Sequence, residues 1–357
     1  LVQAMVWSCK PRPSKCVVLT AVIISVFATI SSSAQFFLWG WFPRCTQGKV
    51  AAINWRGKRN MSEMPTTALR RLLAGPDPIM APGVADALNA RLVTRQGFEA
   101  IYMTGSGTTA VRLGMPDVGL LTMSEMVDNA GRIADASGLP LIADADTGYG
   151  GPINVRRTIR AFEAAGVAGV HIEDQQWPKR CGHLAGKTLI DENEMASKVQ
   201  AAVDARRDSD FVIIARTDAL SVEGFERALE RGKVYEEAGA DVIFIESPTT
   251  MEQLTAIPKH FEIPTLLNHG SSGKTPYLTV DEMRDVGFKI AIYPNFVILA
   301  AIRAVERTLA ELKSTGSVKG LLNEVASFTD MVDLVGMREI QELESRYEVA
   351  DDARVGY

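Results

Sequence analysis

Two aspartates stand two residues apart in Asp144-Ala145-Asp146-Thr147-Gly148-Tyr149-Gly150, and a glutamate follows in His171-Ile172-Glu173-Asp174-Gln175. On an extended segment, residues two apart face the same side. Asp144 and Asp146 are therefore expected to point into one cavity, joined by Glu173 from the adjacent strand. Three carboxylates on one cavity repel each other unless positive charge lies among them. A hard divalent cation with oxygen ligands and retained water meets that need, which points to Mg²⁺, with Mn²⁺ able to replace it. An isolated aspartate before a helix is also a good N-cap, but capping does not account for the cluster.

Other groups fall at comparable places. Arg216, in Arg216-Thr217-Asp218, offers a planar fork for a substrate carboxylate, and an additional salt bridge to Glu173 or Glu246 is compatible with that role. Thr104, Gly105 and Ser106 supply backbone N–H groups and hydroxyls. Lys179-Arg180-Cys181-Gly182-His183 reads as part of a loop from 176 to 187. A lone cysteine is more often a small buried hydrophobe. This one has cationic and glycine neighbours, which suit a thiol that donates a proton near neutral pH.

The elements that must carry these residues alternate. Short apolar runs at Ile79-Met80-Ala81, Ala100–Thr104, Pro140–Asp144, Gly169–Glu173, Phe211–Ala215, Val242–Glu246, Thr265–Asn268 and Ile290–Tyr293 read as strands. Between them, Ser124–Ala136, Asn154–Ala165, Glu192–Arg206, Glu223–Ala238 and Thr279–Val286 read as helices. Gly166, Gly239 and Gly287 fall where left-handed helix ends are expected. Eight strands, each followed by a helix, predict a parallel (β/α)₈ TIM barrel, with polar residues at the strand C-termini facing the active site. No G-x-G-x-x-G follows the first strand, and Gly105-Ser106-Gly107 is too short to be that signature. After strand eight, Phe296–Lys313 reads as one long helix, broken at Gly316–Gly320 and followed by a helical tail to Arg346.

Composition divides the chain. Residues 1–62 hold no Asp or Glu and eight Lys or Arg, leaving 30 basic against 43 acidic residues, net −13, in the remainder. The whole chain has 46% hydrophobic residues and few aromatics, and the remainder reads as an enzyme core with no basic patch for nucleic acid. Cys9, Cys16 and Cys45 lie in the N-terminal segment. Cys181 alone lies in the body, which points to a reducing compartment, the cytoplasm. Residues 16–43 carry no charge, so the segment reads as a signal or membrane anchor, an organelle transit sequence, or translated sequence upstream of a start at Met61 or Met64. Only a real anchor at 16–43 would bring a membrane partner, and only a genuine targeting segment would make the protein organellar or exported. The expected organisation is thus 1–62 extension, 63–346 barrel with C-terminal helices, and 347–357 tail.

Asp144-Ala-Asp-Thr-Gly-Tyr-Gly, His171-Ile-Glu-Asp-Gln and Lys179-Arg-Cys-Gly-His, in that order, resemble the isocitrate lyase/phosphoenolpyruvate mutase superfamily over about residues 68–313. Within it they look most like the 2-methylisocitrate and 2,3-dimethylmalate lyases. The resemblance implies cleavage of a 2-hydroxy di- or tricarboxylic acid, with oxaloacetate or alkylmalate hydrolysis and phosphonate formation as alternatives. It implies an eighth helix exchanged between subunits, in a homotetramer. It places Mg²⁺ near Asp144, Asp146 and Glu173, with Asp117 helping through water. Cys181 is then the acid on a gating loop, with Lys179 and His183 beside it, and the base is Tyr102 or a water near Asp117. Tyr102, Thr104, Gly105, Ser106, Arg180, Gly182, His183, Arg216, Glu246 and Asn268 match positions that hold substrate. Mutases carry an Asn-containing loop in place of Lys-Arg-Cys-Gly-His. Pro294 occupies a position where lyases carry Pro or Thr and hydrolases Ser. Ser271 departs from an acidic residue common in the family, and Phe244-Ile-Glu246-Ser-Pro248 looks more like the dimethylmalate group.

Overall fold

Branched apolar residues in runs of three to six, punctuated by glycine, form the strands of a closed parallel barrel in the order β1 to β8, β1 pairing with β8. The computed structural model describes residues 63–182 and 186–356; residues 1–62, His183 and the anchor reading of 16–43 lie outside the described residues. The strands are β1 (Ile79–Val84), β2 (Ile101–Met103), β3 (Leu141–Asp144), β4 (Gly169–Glu173), β5 (Val212–Thr217), β6 (Val242–Ile245), β7 (Thr265–Asn268) and β8 (Ile290–Tyr293). Helix α1 (Pro65–Ala74) precedes them, α2 (Ala87–Arg95) follows β1, and α3 (Gly105–Leu113) and α4 (Met123–Ser137) follow β2. Then come α5 (Pro152–Ala164), α6 (Glu192–Ala205), α7 (Phe225–Glu237), α8 (Met251–His260) and α9 (Val280–Val286), each after the next strand in turn. The chain ends with α10 (Phe296–Thr315), α11 (Phe328–Leu334) and α12 (Met337–Arg346).

The two-residue period of each strand sorts the core into two layers. Ile101, Met103, Leu141, Ala143, Val170, Ile172, Ile213, Ala215, Ile243 and Ile245 pack outward in one cluster with residues of the surrounding helices. Ile79, Ala81, Tyr102, Ile142, Val212, Ile214, Val242, Phe244, Leu266, Ile290 and Ile292 form a second cluster inside the barrel, with Leu69 of α1 among them. Continuing the inward parity toward the strand C-termini reaches Thr104, Asp144, Glu173, Arg216, Glu246, Asn268 and Pro294. The alternation that fills the barrel therefore also aims these side chains at its mouth.

Helix ends follow local chemistry. Thr122 with Glu125 and Thr279 with Glu282 form capping boxes on α4 and α9, and Gly166, Gly239 and Gly287 adopt positive φ, as expected from sequence. Helix α10 behaves differently from the others. None of its twenty residues is buried, and Phe296, Leu299, Ile302, Val305, Leu309 and Leu312 are exposed. No helix among the described residues is long and apolar enough to cross a membrane.

Candidate active site

The cavity at the barrel mouth is lined by Tyr102, Thr104, Ser106, Asp117, Asp144, Glu173, Lys179, Arg180, Cys181, Gly182, Arg216, Glu246, Asn268 and Pro294, with Phe244, Gly270, Ile292 and Asn295 completing it. Of the residues singled out from sequence, Gly105 and Asp146 stand just behind this lining and His183 lies outside the described residues.

One expectation about local structure needs correction. Asp146 is not on the extended segment. β3 ends at Asp144, and Asp146 has φ 48°, a left-handed conformation rare outside glycine and of the kind that concentrates at functional sites. The two aspartates meet because the chain turns back, the Asp146 N–H donating to Asp144 Oδ1 at 2.9 Å. Gly105 and Ser106 follow β2 and Thr104 directly. They open α3, whose N-cap Thr104 accepts from the Gly107 N–H. The first-turn amides of a helix therefore lie beside the cavity, a setting that suits an anionic group.

Lys179 lies within the carboxylate cluster. Its Nζ is 2.7 Å from Asp117 Oδ1 and 2.6 Å from Asp146 Oδ1, with only 2% of the side chain exposed. Burial works against its charge, but Asp146, Asp144, Glu173 and Asp117 outweigh that and hold the ammonium well above its ordinary range. Burial pushes Asp146 up to about 6 against the pull of Lys179, and it raises Glu173 well above the usual carboxylate range. Asp144 is also buried, yet His171, Lys179 and Arg216 bring it below its ordinary value.

Arg216 faces three acids: Glu173 (Nη1–Oε2, 3.1 Å), Asp218 (Nε–Oδ2, 3.0 Å) and Glu246 (Nη2–Oε2, 3.4 Å). The salt bridges anticipated with Glu173 and Glu246 are thus present, and the fork still borders the cavity. Glu246 accepts from Asn268 Nδ2 and Ser247 Oγ. Asn268 Oδ1 and Glu173 Oε1 are buried acceptors with no protein partner, which suits a site built to receive a polar ligand.

The Tyr102 hydroxyl is 2.8 Å from His171 Nε2. Burial, reinforced by Asp144, raises the phenol well above its ordinary value, and burial lowers His171 to about 4, so both are neutral near pH 7. The Cys181 side chain is half-buried at the cavity, and its N–H donates to the Asp117 carbonyl at 3.2 Å.

The chemistry of the donor set bears on a divalent cation. Among the described residues seven buried carboxylates (Asp117, Asp144, Asp146, Glu173, Asp174, Asp218 and Glu246) stand against five buried cations, Lys179, Lys187, Lys198, Arg216 and Arg231. The balance is negative and the donors are hard oxygens. As they stand, no three His, Cys, Asp or Glu side chains among the described residues converge to hold one ion. Mg²⁺ does not require that convergence, since it is commonly held through one or two carboxylates and several waters. The residues present fit Mg²⁺ on these grounds.

Sequence reasoning missed several participants. Asn295 accepts from Ser106 Oγ at 3.2 Å and lies beside Thr104 Oγ1; its position after Pro294 at a strand end was the available signal. His171 was visible only as part of a motif. Its inward parity, two before Glu173, would have placed it.

Comparisons with known proteins agree with this geometry. The phosphoenolpyruvate phosphomutase family profile matches residues 69–313. The chain is 46% identical over 279 residues to a 2,3-dimethylmalate lyase from Eubacterium barkeri, covering 78% of this chain and 96% of that one. It is 44% identical to a 2-methylisocitrate lyase from Aeropyrum pernix, covering 79% and 91%. Among solved structures, a 2,3-dimethylmalate lyase superposes with TM-score 0.78 at 40% identity, covering 83% of this chain and 99% of that one. An oxaloacetate acetylhydrolase bound to 3,3-difluorooxalacetate gives 0.77 at 40% identity, covering 80% and 98%. The family profile, these identities and the closed eight-stranded barrel give one conclusion: the chain belongs to the isocitrate lyase/phosphoenolpyruvate mutase superfamily and is a carbon–carbon lyase of it.

Proposed function

We propose that the enzyme is Mg²⁺-dependent and cleaves the C2–C3 bond of a 2-hydroxy di- or tricarboxylic acid, of the 2,3-dimethylmalate or 2-methylisocitrate type. The observation that carries this reading is the meeting, around one cavity, of an oxygen-donor cluster, the Arg216 fork and the Cys181 side chain. Mg²⁺ bound near Asp144, Asp146, Glu173 and Asp117 would supply positive charge opposite the oxygen that becomes a carbonyl.

The chain's own groups account for the rest. Arg216, the α3 amides and Asn268 bind and orient the substrate carboxylates. A base removes the 2-hydroxyl proton, either a water beside Asp117 or Tyr102, whose hydroxyl lies 2.8 Å from His171 Nε2. The C2–C3 electron pair goes to C3, C2 becomes the carbonyl of a 2-oxo acid, and Cys181 protonates C3 of the departing carboxylate. Lys179 balances the acids beside the reacting groups. Arg180 and Gly182 cover the cavity with Cys181, and excluding water there protects the carbanion. Pro294 at the end of β8 supports lyase over hydrolase chemistry. The apolar row left exposed along α10 supports an exchanged helix in a homotetramer. The enzyme acts on a small acid in the cytoplasm, with no nucleic-acid partner.

A panel of 2-hydroxy di- and tricarboxylates and oxaloacetate, assayed with Mg²⁺ for both 2-oxo acid and oxalate release, tests the proposal. Release of a 2-oxo acid from a substituted malate or isocitrate supports it. Oxalate as the dominant product would overturn it.

A further inference from the structure

We propose that Lys187, acting through Asp218, is a positioning residue that sets the Arg216 carboxylate anchor and the Cys181-Gly182 peptide in one register. Lys187 lies beyond the Lys179-Arg-Cys-Gly-His motif, does not line the cavity, and is buried, with 3% of its side chain exposed. Its Nζ donates to Asp218 Oδ1 at 2.8 Å and also to the Gly182 carbonyl. Asp218 takes the Arg216 guanidinium through both oxygens, Nε at 3.0 Å and Nη2 at 3.2 Å. One ammonium therefore bridges the residue that grips the anchor and the residue that follows the cysteine.

The packing leaves little slack between these parts. A Cβ built on Gly182 would lie 2.4 Å from Arg216 Nη2 and 2.8 Å from Glu246 Cγ, so the Gly182 backbone rests against the guanidinium. Asp218 is itself tied down. Its N–H donates to Asp174 Oδ1 at 3.0 Å, and Asp174 Oδ2 accepts from Thr217 Oγ1 at 2.6 Å and Tyr235 OH at 2.9 Å. Charge gives the same answer. Arg216 faces Glu173, Glu246 and Asp218. Lys187 balances Asp218, which leaves the guanidinium able to serve an incoming carboxylate. Without Lys187, Asp218 draws Arg216 more strongly and the Gly182 carbonyl loses its donor, so anchor and thiol part.

This inference rests on Arg216 as the carboxylate anchor proposed above, and the test separates the two. Lys187→Met, Lys187→Gln and Lys187→Arg are compared with Arg231→Met. Arg231 is a buried member of the same network that pairs with Asp174 and Glu223 but does not reach Gly182. Malonate affinity is measured by calorimetry, and alkylation of Cys181 in the ligand-free protein by a neutral reagent is followed on its peptide by mass spectrometry. The expected result is a roughly tenfold loss of malonate affinity and a roughly tenfold change in Cys181 alkylation for Lys187→Met, with partial rescue in Lys187→Arg. Arg231→Met should lower the melting temperature and leave both readouts within about twofold. If Lys187→Met does not fold, Lys187→Gln is read in its place. Wild-type protein that binds no dicarboxylate overturns the anchor reading, and the alkylation rates still decide the role of Lys187. A Lys187 variant that only melts lower, with malonate binding and alkylation unchanged, overturns the proposal.

Discussion

Gly105→Ala tests whether the carboxylate cluster needs the close approach of α3. A Cβ at this position would lie 2.4 Å from Asp144 Oδ2 and 2.9 Å from its Cγ. That is roughly 1 Å short of an ordinary contact. Asp144 has little freedom to retreat, because its Oδ1 accepts from the Asp146 N–H at 2.9 Å and His171 Nε2 stands 3.7 Å away. The carboxylate must swing by about 1 Å, a misplacement that can cost about 10²-fold in rate. Stability should fall modestly. Overpacking costs about 1–3 kcal/mol, and the better helix propensity of alanine offsets at most about 1 kcal/mol of that. Steady-state kinetics with Mg²⁺ varied, alongside thermal melts, separate these effects. Gly151→Ala is the control, since nothing lies within 4 Å of a Cβ there. A Gly105→Ala enzyme with kcat and Mg²⁺ dependence within twofold of wild type would refute the close-approach argument.

Three further outcomes are expected. Cys181→Ser should lower kcat by about 10²–10⁴-fold with much less effect on binding of a substrate analogue, and near wild-type turnover would remove Cys181 as the acid. Stripping divalent ions should abolish turnover and Mg²⁺ or Mn²⁺ restore it; because burial raises both Asp146, to about 6, and Glu173, their protonated forms compete with the ion, so Mg²⁺ affinity should rise with pH through about 6. Full activity in excess chelator, or affinity independent of pH between 5 and 7, would contradict that assignment. Pro294→Ser should raise oxaloacetate hydrolysis relative to lyase activity, and an unchanged ratio would show that the end of β8 does not set the choice.

The barrel was legible because its strands are short, apolar and evenly spaced, and a run such as Val242–Ile245 has few alternatives when buried on both faces. Their places at strand C-termini, with the family resemblance, singled out Glu173, Arg216, Glu246 and Asn268, all of which line the cavity. What sequence could not show was backbone conformation past the strand ends. Asp146 meets Asp144 through a left-handed turn rather than strand geometry, and Gly105-Ser106 opens α3 just after β2. Helices α2 and α8 were not delimited individually; α8 contains Pro258, which interrupts a helical pattern. Pairings across the fold were out of reach as well. Lys179 with Asp117, 62 residues apart, and Lys187 with Asp218 exist only once the loop after β4 has folded back over the barrel mouth.

The central claim is that a carbon–carbon bond breaks to give a 2-oxo acid and a carbanion that the enzyme protonates. Turnover with Mg²⁺ in D₂O, read by NMR of the products, tests it most directly. The account predicts a 2-oxo acid together with a second acid carrying one deuterium at the former C3, placed on one face. Oxalate in place of the 2-oxo acid, or a second acid free of deuterium, would contradict it.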